Sequence, residues 1–197
     1  MKDKLDLLDL IKKTGAVRKF KDQHINPKFI KLISEAGLWG PSVSGVQPWR
    51  FVIIQNKLII KKIASIVNIK SKKKEGAFAK LLQMTSKTIN NSNVVAAIYI
   101  TNRMRKNAVK YGPECVKRAW IAELLSTGAA VQNMFLMLNN LGLGGVWLEA
   151  PTIFSKEINN LLKKKNELEL TALMVFGYPD QEISRCHREY AKIIENR

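Results

Sequence analysis

The spacing of apolar residues divides the chain into helices and strands. Apolar positions that recur every three or four residues predict helices, in the segments 3–13, 27–36, 57–67, 119–141 and 152–162. Short and nearly continuous apolar runs predict buried strands, in the segments 49–54, 94–100, 146–148 and 168–176. Because helices and strands mix without a strict βαβ alternation, the pattern favours an α+β fold.

Two internal segments have no clear pattern. Residues 68–93 combine a lysine run, a helix-like stretch around residues 78–84 and polar residues, and we expect a mobile flap or loop there. Residues 101–113 are also expected to be loop, and residues 180–197 form a polar, basic tail. Because no internal repeat or linker-like change of composition divides the chain, residues 1–197 are expected to form a single domain.

The composition limits the class of protein. A chain of 197 residues with 46% hydrophobic residues can bury the core of one ordinary domain. We expect neither a membrane span nor a secretory leader, because no uninterrupted apolar run reaches about 18 residues and the N-terminus lacks an apolar signal core. Cys115 and Cys186 lie outside any CxxC pair, which is typical of ordinary thiols in a reducing cytoplasm. The chain has only two histidines, His24 and His187, so a metal site is not expected.

The formal net charge of +17 raises the question of an anionic partner. The lysines are spread along the chain, with the densest clusters at residues 70–74 and 163–165. An arginine-rich arm, a zinc-finger spacing and an RNA-binding motif are all missing from the sequence, so a nucleic-acid role is disfavoured. An acidic electron-carrier protein stays possible, because opposite charges steer an encounter without any sequence motif.

Common catalytic motifs are not found. The sequence contains no GxSxG, HExxH or GxxxxGK[ST] pattern. The glycines of residues 142–145 follow a predicted helix, whereas a dinucleotide fingerprint follows a strand, so we reject that interpretation.

Three separated segments together resemble the nitroreductase family. They are VRKF at residues 17–20, PSVSGVQPWRF at residues 41–51, and the pair Gln132 and Asn133 followed by LGLGGVWLE at residues 141–149. Their order and separations match the family over nearly the whole chain. The resemblance implies an α+β fold with a central, mostly antiparallel sheet flanked by helices. It also implies an intertwined homodimer that holds FMN at the subunit interface.

The implied activity is FMN-dependent oxidoreduction. Hydride passes from NAD(P)H through flavin N5 to a nitroaromatic, a quinone or a similar acceptor, in a ping-pong mechanism. The sequence distinguishes neither the physiological acceptor nor the donor, which is NADH, NADPH or a ferredoxin-like protein.

The resemblance assigns the FMN phosphate to basic residues at both ends of the chain. Arg18 matches the N-terminal basic element, and Arg185 and His187 lie where the family has its C-terminal pair. A phosphate dianion needs such cations or clustered backbone N–H groups. The basic tail at residues 180–197 is a segment that could extend onto the partner subunit.

The resemblance assigns the flavin ring to two other segments. The loop that contains Pro41, Ser42, Val43 and Gly45 is implied to come from the partner subunit and to lie along the ring, with Gln47 positioning it. Leu148 flanks the ring, and the backbone N–H of Glu149 points at N5, where a fixed donor stabilises the electron density of the reduced ring.

Four positions depart from the family pattern. Thr14, Gly15 and Ala16 replace phosphate-side residues, and Gly45 replaces the usual Asn. Each lost charge-assisted hydrogen bond costs roughly 1.5–3 kcal/mol, so FMN binding is expected to be weakened. The alternative function is therefore a flavin-binding or flavin-sensing protein with little turnover. A basic nucleic-acid-binding module is a less favoured alternative.

Overall fold

A four-stranded antiparallel sheet forms the centre of the fold. The computed structural model describes residues 7–164 and 167–183. The strands are β1 (Trp49–Ile54), β2 (Val94–Thr101), β3 (Gly144–Leu148) and β4 (Leu168–Gly177), in the order β1-β2-β4-β3. All three neighbouring pairs are antiparallel. The predicted α+β class and antiparallel sheet are confirmed, and β1 and β3 are the two edge strands.

Helices surround the sheet. They are α1 (Leu7–Lys13), α2 (Pro27–Leu38), α3 (Lys57–Ser71), α4 (Gly76–Asn91), α5 (Arg103–Ala108), α6 (Pro113–Asn140) and α7 (Ser155–Leu161). Single 3₁₀ turns lie at Val43–Gly45, Val109–Tyr111 and Ala150–Phe154. The start of α2 agrees with the sequence, because Asn26 accepts a hydrogen bond from the Lys28 N–H and Pro27 occupies the first helical position.

The two faces of the sheet carry separate hydrophobic cores. Alternate residues of β2 point to opposite faces, as the two-residue repeat of a strand requires. One core joins β2 and β4 to α3, α4 and α7 through buried residues such as Val95, Tyr99, Ile63, Leu82 and Ile158. The other core joins them to α2 and α6 through buried residues such as Ile98, Met174, Ile33, Val131 and Met134. The molecule therefore has an α2/α6 layer and an α3/α4 layer.

The expected flap at residues 68–93 is wrong. Helices α3 and α4 fill most of this segment and pack against each other. Leu82 and Ile89 of α4 are fully buried, and the Ser86 hydroxyl donates a 2.8 Å hydrogen bond to the Ala64 carbonyl of α3. The helix-like stretch predicted around residues 78–84 lies within α4. The hydroxyl residues on the buried face of α4 weakened the pattern over the rest of the helix.

The expected loop at residues 101–113 is also wrong, because it contains α5 and a 3₁₀ turn. Arg105 of α5 holds two carboxylates, with its Nε 2.8 Å from Glu123 of α6 and one terminal nitrogen 2.5 Å from Glu169 of β4. The Glu123 side chain is fully buried and also accepts from the Met104 N–H at 3.0 Å. A buried carboxylate needs such partners, so this ion pair ties α5 to the core.

Helix α6 is apolar enough to cross a membrane, by length and composition only. It has 28 residues and a mean hydropathy of 1.3 over its most apolar stretch. Its buried residues include Val131, Met134 and Leu138, which contact the central strands. Packing against the sheet therefore accounts for the apolar residues on the buried side of this helix.

A substitution at Gly145 of β3 can test how closely β3 and β4 pack. A Cβ atom there would lie 2.7 Å from the Val175 carbonyl oxygen and 3.1 Å from the Phe176 Cβ. We expect Gly145→Ala to lower the free energy of unfolding by about 1–3 kcal/mol, measured by urea denaturation. Gly128→Ala is the matched control, since a Cβ there meets nothing within 4 Å and alanine favours a helix interior. Equal midpoints for Gly145→Ala and the wild type would contradict this packing.

Candidate functional site

The N-terminal basic element lies against the edge of the sheet. Ala16 forms a parallel bridge with Gly145 of β3, and the Val17 N–H donates to the Gly145 carbonyl at 2.9 Å. The N–H groups of Arg18 and Lys19 both donate to the Gln181 side-chain oxygen, at 2.8 and 2.9 Å. Because Val17 is fully buried, the neighbouring Arg18 side chain points to solvent.

A cavity of about 380 Å³ opens between this segment, β3 and α6. It is lined by Thr14, Gly15, Ala16, Arg18, Gln132, Phe135, Gly145, Val146 and Trp147. The cavity therefore joins the first and third family-like segments, which are far apart in sequence. Phe135 and Trp147 are lining residues that the sequence did not predict for the site, and Gln132 was predicted only as part of a motif.

The chemistry of this cavity fits a ligand that is anionic and partly aromatic. Arg18 supplies a cation and Gln132 an amide, whereas Phe135 and Trp147 supply flat apolar surface. No carboxylate is among the lining residues in the part of the chain that is described. FMN, with a phosphate dianion and a planar ring, has both properties.

Thr14 is a poor replacement for a phosphate ligand. Its hydroxyl donates a 3.0 Å hydrogen bond to the Leu10 carbonyl at the end of α1. The one proton that the side chain could offer a phosphate is therefore already used. This observation supports the expectation that the Thr14, Gly15 and Ala16 departures weaken the phosphate side of the site.

Leu148 and Glu149 lie where β3 ends. Leu148 is buried and pairs with Leu173 of β4, whereas the Glu149 side chain is exposed. The Glu149 carbonyl accepts from the Thr152 N–H at 2.9 Å, and its carboxylate accepts from the Thr152 hydroxyl at 3.4 Å. The side chain of Glu149 thus has a local role in the following 3₁₀ turn, and its role toward N5 stays a prediction about the backbone.

The loop before β1 is irregular and is held against α6. Ser44, Gly45 and Gln47 have positive φ angles of 51°, 66° and 47°. The Val43 N–H donates to the Ser126 hydroxyl at 3.1 Å, and the Gln47 N–H donates to the Ser42 hydroxyl at 3.2 Å. A loop held in this way presents Pro41, Ser42 and Val43 in a fixed conformation.

Among the described residues, Gln47 of this loop and Arg18 line different cavities. Gln47 lines a different cavity, of about 900 Å³, beside Trp39, Trp49, Arg50 and Phe51. The loop leads into β1 and Glu149 follows β3, and these are opposite edges of the sheet. Three strand spacings separate the edges, which is roughly 14 Å. The structure therefore brings the predicted site residues together in two groups.

Exposed apolar residues cover the same side of the molecule as both cavities. Trp39 is 79% exposed and Leu38 is 56% exposed at the end of α2, and Leu125 of α6 is 68% exposed. Leu7 and Ile11 of α1 are exposed as well. An exposed apolar surface of this kind marks a place of interaction.

Two described residues outside the cavity have clearly shifted pKa values. Burial raises the pKa of Tyr99 to about 12, and its hydroxyl donates a 2.9 Å hydrogen bond to Asn159. The hydrogen bond from Lys70 lowers the pKa of Glu157. Both shifts move the residue away from titration near neutral pH.

Arg185 and His187 lie outside the described residues, so their predicted phosphate contact stays a prediction. Cys186 lies there too, whereas Cys115 is an exposed free thiol.

Comparisons with known proteins agree with the family predicted from the sequence and with the fold. The sequence profile of the nitroreductase family matches residues 11–178. A protein of Methanothermobacter thermautotrophicus, assigned as an NADH dehydrogenase/NAD(P)H nitroreductase, is 25% identical over 73% of this chain. The chain spans only 61% of the length of that relative. An iodotyrosine deiodinase of Thermotoga neapolitana is 27% identical, over 88% of this chain and 89% of its own.

A solved structure shows the same fold. A protein from Desulfovibrio desulfuricans, assigned as a nitroreductase and crystallised with FMN, has a TM-score of 0.75 and 22% identity. The match covers 99% of this chain and 98% of that one. The chain therefore belongs to the nitroreductase family. The family predicted from the sequence is confirmed.

Arg18 is the cation of the cavity and can be tested directly. We expect Arg18→Gln to weaken FMN binding roughly 10- to 100-fold, since a hydrogen bond to a charged group contributes about 1.5–3 kcal/mol. The dissociation constant can be measured from the quenching of FMN fluorescence. Lys28→Gln, an exposed cation at the start of α2, is the charge-matched control. Equal dissociation constants for the two variants would remove Arg18 from the site.

Proposed function

We propose that the protein is an NAD(P)H oxidoreductase that binds FMN in the cavity between Arg18, Gln132 and β3. The observation that carries this proposal is the cavity itself, which joins two family-like segments and places a cation beside aromatic surface. The third segment, the loop from Pro41 to Gln47, belongs to the same site in our proposal but comes from a second copy of the chain.

Each group of residues has a distinct role in this site. Arg18, with Arg185 and His187, holds the phosphate. The Leu148 side chain is buried in the core on the α3/α4 side, so its backbone would be the part that flanks the ring. The Glu149 N–H would donate a hydrogen bond toward N5 from the fixed end of β3. The loop with Ser42, Val43 and Gly45 covers the ring and excludes water.

When bound, FMN would supply the hydride chemistry between reduced nicotinamide and an acceptor that takes its place. The chain's own residues then need only to bind, orient and exclude water, which suits a cavity without a carboxylate among its described lining residues. Candidate acceptors are nitroaromatics and quinones, and an acidic electron-carrier protein is a candidate donor. We place the protein in the cytoplasm.

A homodimer completes the site in this proposal. Both cavities lie on the α2/α6 layer at opposite edges of the sheet, and exposed apolar residues lie on the same layer. A two-fold axis through this layer would place the β1 edge of one chain against the β3 edge of the other. Such an arrangement would bring the loop of each chain to the Arg18 of its partner.

The weak phosphate side favours a second candidate, a flavin-binding or flavin-sensing protein with little turnover. The Thr14 hydroxyl is used within α1, and no side chain stands at Gly15 to replace it. The same cavity would then hold FMN without efficient hydride transfer.

Absorption spectroscopy separates the two candidates. After loading with FMN and gel filtration, we expect bands near about 370 and 450 nm that co-elute with the protein and bleach under anaerobic NAD(P)H. Bands that persist with NADH and NADPH, but bleach with dithionite, would favour the sensing protein. Loss of all flavin from the loaded protein would contradict both candidates.

The shared site can be tested by mixing two defective chains. Arg18→Glu damages one half of the site, and Gly45→Val strains a loop position with a φ of 66° that suits glycine. If each site combines the two halves, co-refolding equal amounts should restore roughly a quarter of the wild-type activity, because half of the dimers are mixed and each has one intact site. Co-refolding each variant with itself is the control, and activity no higher than the controls would contradict the shared site.

A further inference from the structure

The outer surface of helices α3 and α4 has an unusual charge. Residues 57–91 contain nine lysines and one acidic residue, Glu75, so this segment carries +8 of the chain's net +17. Nearly half of the net charge therefore lies in about a sixth of the chain, so the lysines are less evenly spread than the sequence suggested.

Most of these lysines are available for an external partner. Lys57 lies 3.7 Å from Asp22, and Lys70 pairs with Glu157. The other seven form no ion pair with any residue in the described ranges; they are Lys61, Lys62, Lys80 and Lys87 on the helices and the run at residues 72–74 between them. All seven are exposed.

Large apolar side chains stand exposed among these lysines. Leu58 and Ile69 of α3 are 70% and 55% exposed, and Met84 of α4 is 61% exposed. Phe78 and Leu81 complete the set, and with Met84 they recur every three residues along one side of α4. The buried side of the same helix contains hydroxyl residues instead, including Thr85, Ser86 and Thr88.

This surface belongs to the layer opposite to the candidate flavin site. Helices α3 and α4 cover one face of the sheet, whereas both cavities and the exposed apolar residues of α1 and α2 lie with the other face. A dimer built through the α2/α6 layer would therefore leave the α3/α4 surface open to solvent.

We propose that the α3/α4 surface docks onto an anionic lipid bilayer. Lysines attract an anionic headgroup layer, while leucine, isoleucine, phenylalanine and methionine side chains enter the boundary with the acyl chains. Long lysine side chains can keep their ammonium groups among the headgroups while their neighbours are buried. Exposed apolar residues would add little to the binding of nucleic-acid phosphates. A lipid surface therefore explains both the unpaired lysines and the exposed apolar side chains. This inference does not depend on the flavin site.

Vesicle co-flotation tests the proposal with the FMN-loaded protein of residues 1–197. We expect binding to phosphatidylcholine vesicles that contain phosphatidylserine and none to phosphatidylcholine alone. Replacing Lys72, Lys73 and Lys74 by Gln should weaken binding on the order of 100-fold, from the contribution of each lysine near an anionic surface. The matched control replaces Lys106, Lys110 and Lys117, three exposed lysines outside α3 and α4, by Gln and should bind like the wild type.

A second variant tests the apolar part of the surface. Leu81→Gln with Met84→Gln should lower vesicle binding and make the remainder more sensitive to salt, without changing the far-ultraviolet circular dichroism or the oligomeric state. Equal losses in the two lysine variants would overturn the proposal, as would unchanged binding of the Leu81 and Met84 variant. Tighter binding to single-stranded DNA or polyglutamate than to anionic vesicles would also overturn it. So would a change of oligomeric state in the Leu81 and Met84 variant, because a second copy of the chain would then cover the surface in the wild type.

Discussion

The close approach of the N-terminal segment to β3 is the constraint on which the candidate site depends. Val17 reaches the Gly145 carbonyl with a 2.9 Å hydrogen bond, and a Cβ atom at Gly144 would lie 2.5 Å from a Val17 methyl carbon. Glycine at position 144 is what allows the segment to lie so near. The Val17 side chain is fully buried, whereas the neighbouring Arg18 side chain is exposed and supplies a cation to the lining of the cavity.

The same constraint connects the beginning of the domain to its end. Gln181, just after β4, receives the Arg18 and Lys19 N–H groups, and Phe20 bridges Pro179. The N-terminal segment is therefore held between β3 and the residues that follow β4. Position and rigidity at the cavity come from backbone hydrogen bonds and buried side chains, whereas the exposed Arg18 side chain supplies only charge.

Sequence patterns predicted the elements whose burial follows a simple repeat. β1, β2 and β4 are nearly continuous apolar runs, and α2 has its cap and its proline in the expected places. Only part of helix α4 was predicted, around residues 78–84, because its buried side includes Thr85, Ser86 and Thr88, while Leu81 and Met84 face solvent. Helix α5 was missed because Arg105 holds it through Glu123 and Glu169, which are remote in sequence.

The motifs placed Arg18 and Glu149 near each other, but whether Phe135 and Trp147 line the cavity depends on how α6 rotates against the sheet.

The separation of the loop at residues 41–47 from Arg18 has a thermodynamic consequence. A ligand that contacts both groups across two chains binds the assembled pair more tightly than it binds one chain, so assembly and cofactor binding become linked equilibria. Each mole of bound flavin would then stabilise the subunit contact by the same free energy that the contact lends to flavin binding. In such a protein, dilution separates the subunits and releases cofactor, whereas added cofactor opposes their dissociation. The fraction of holoprotein then depends on the concentration of the chain itself.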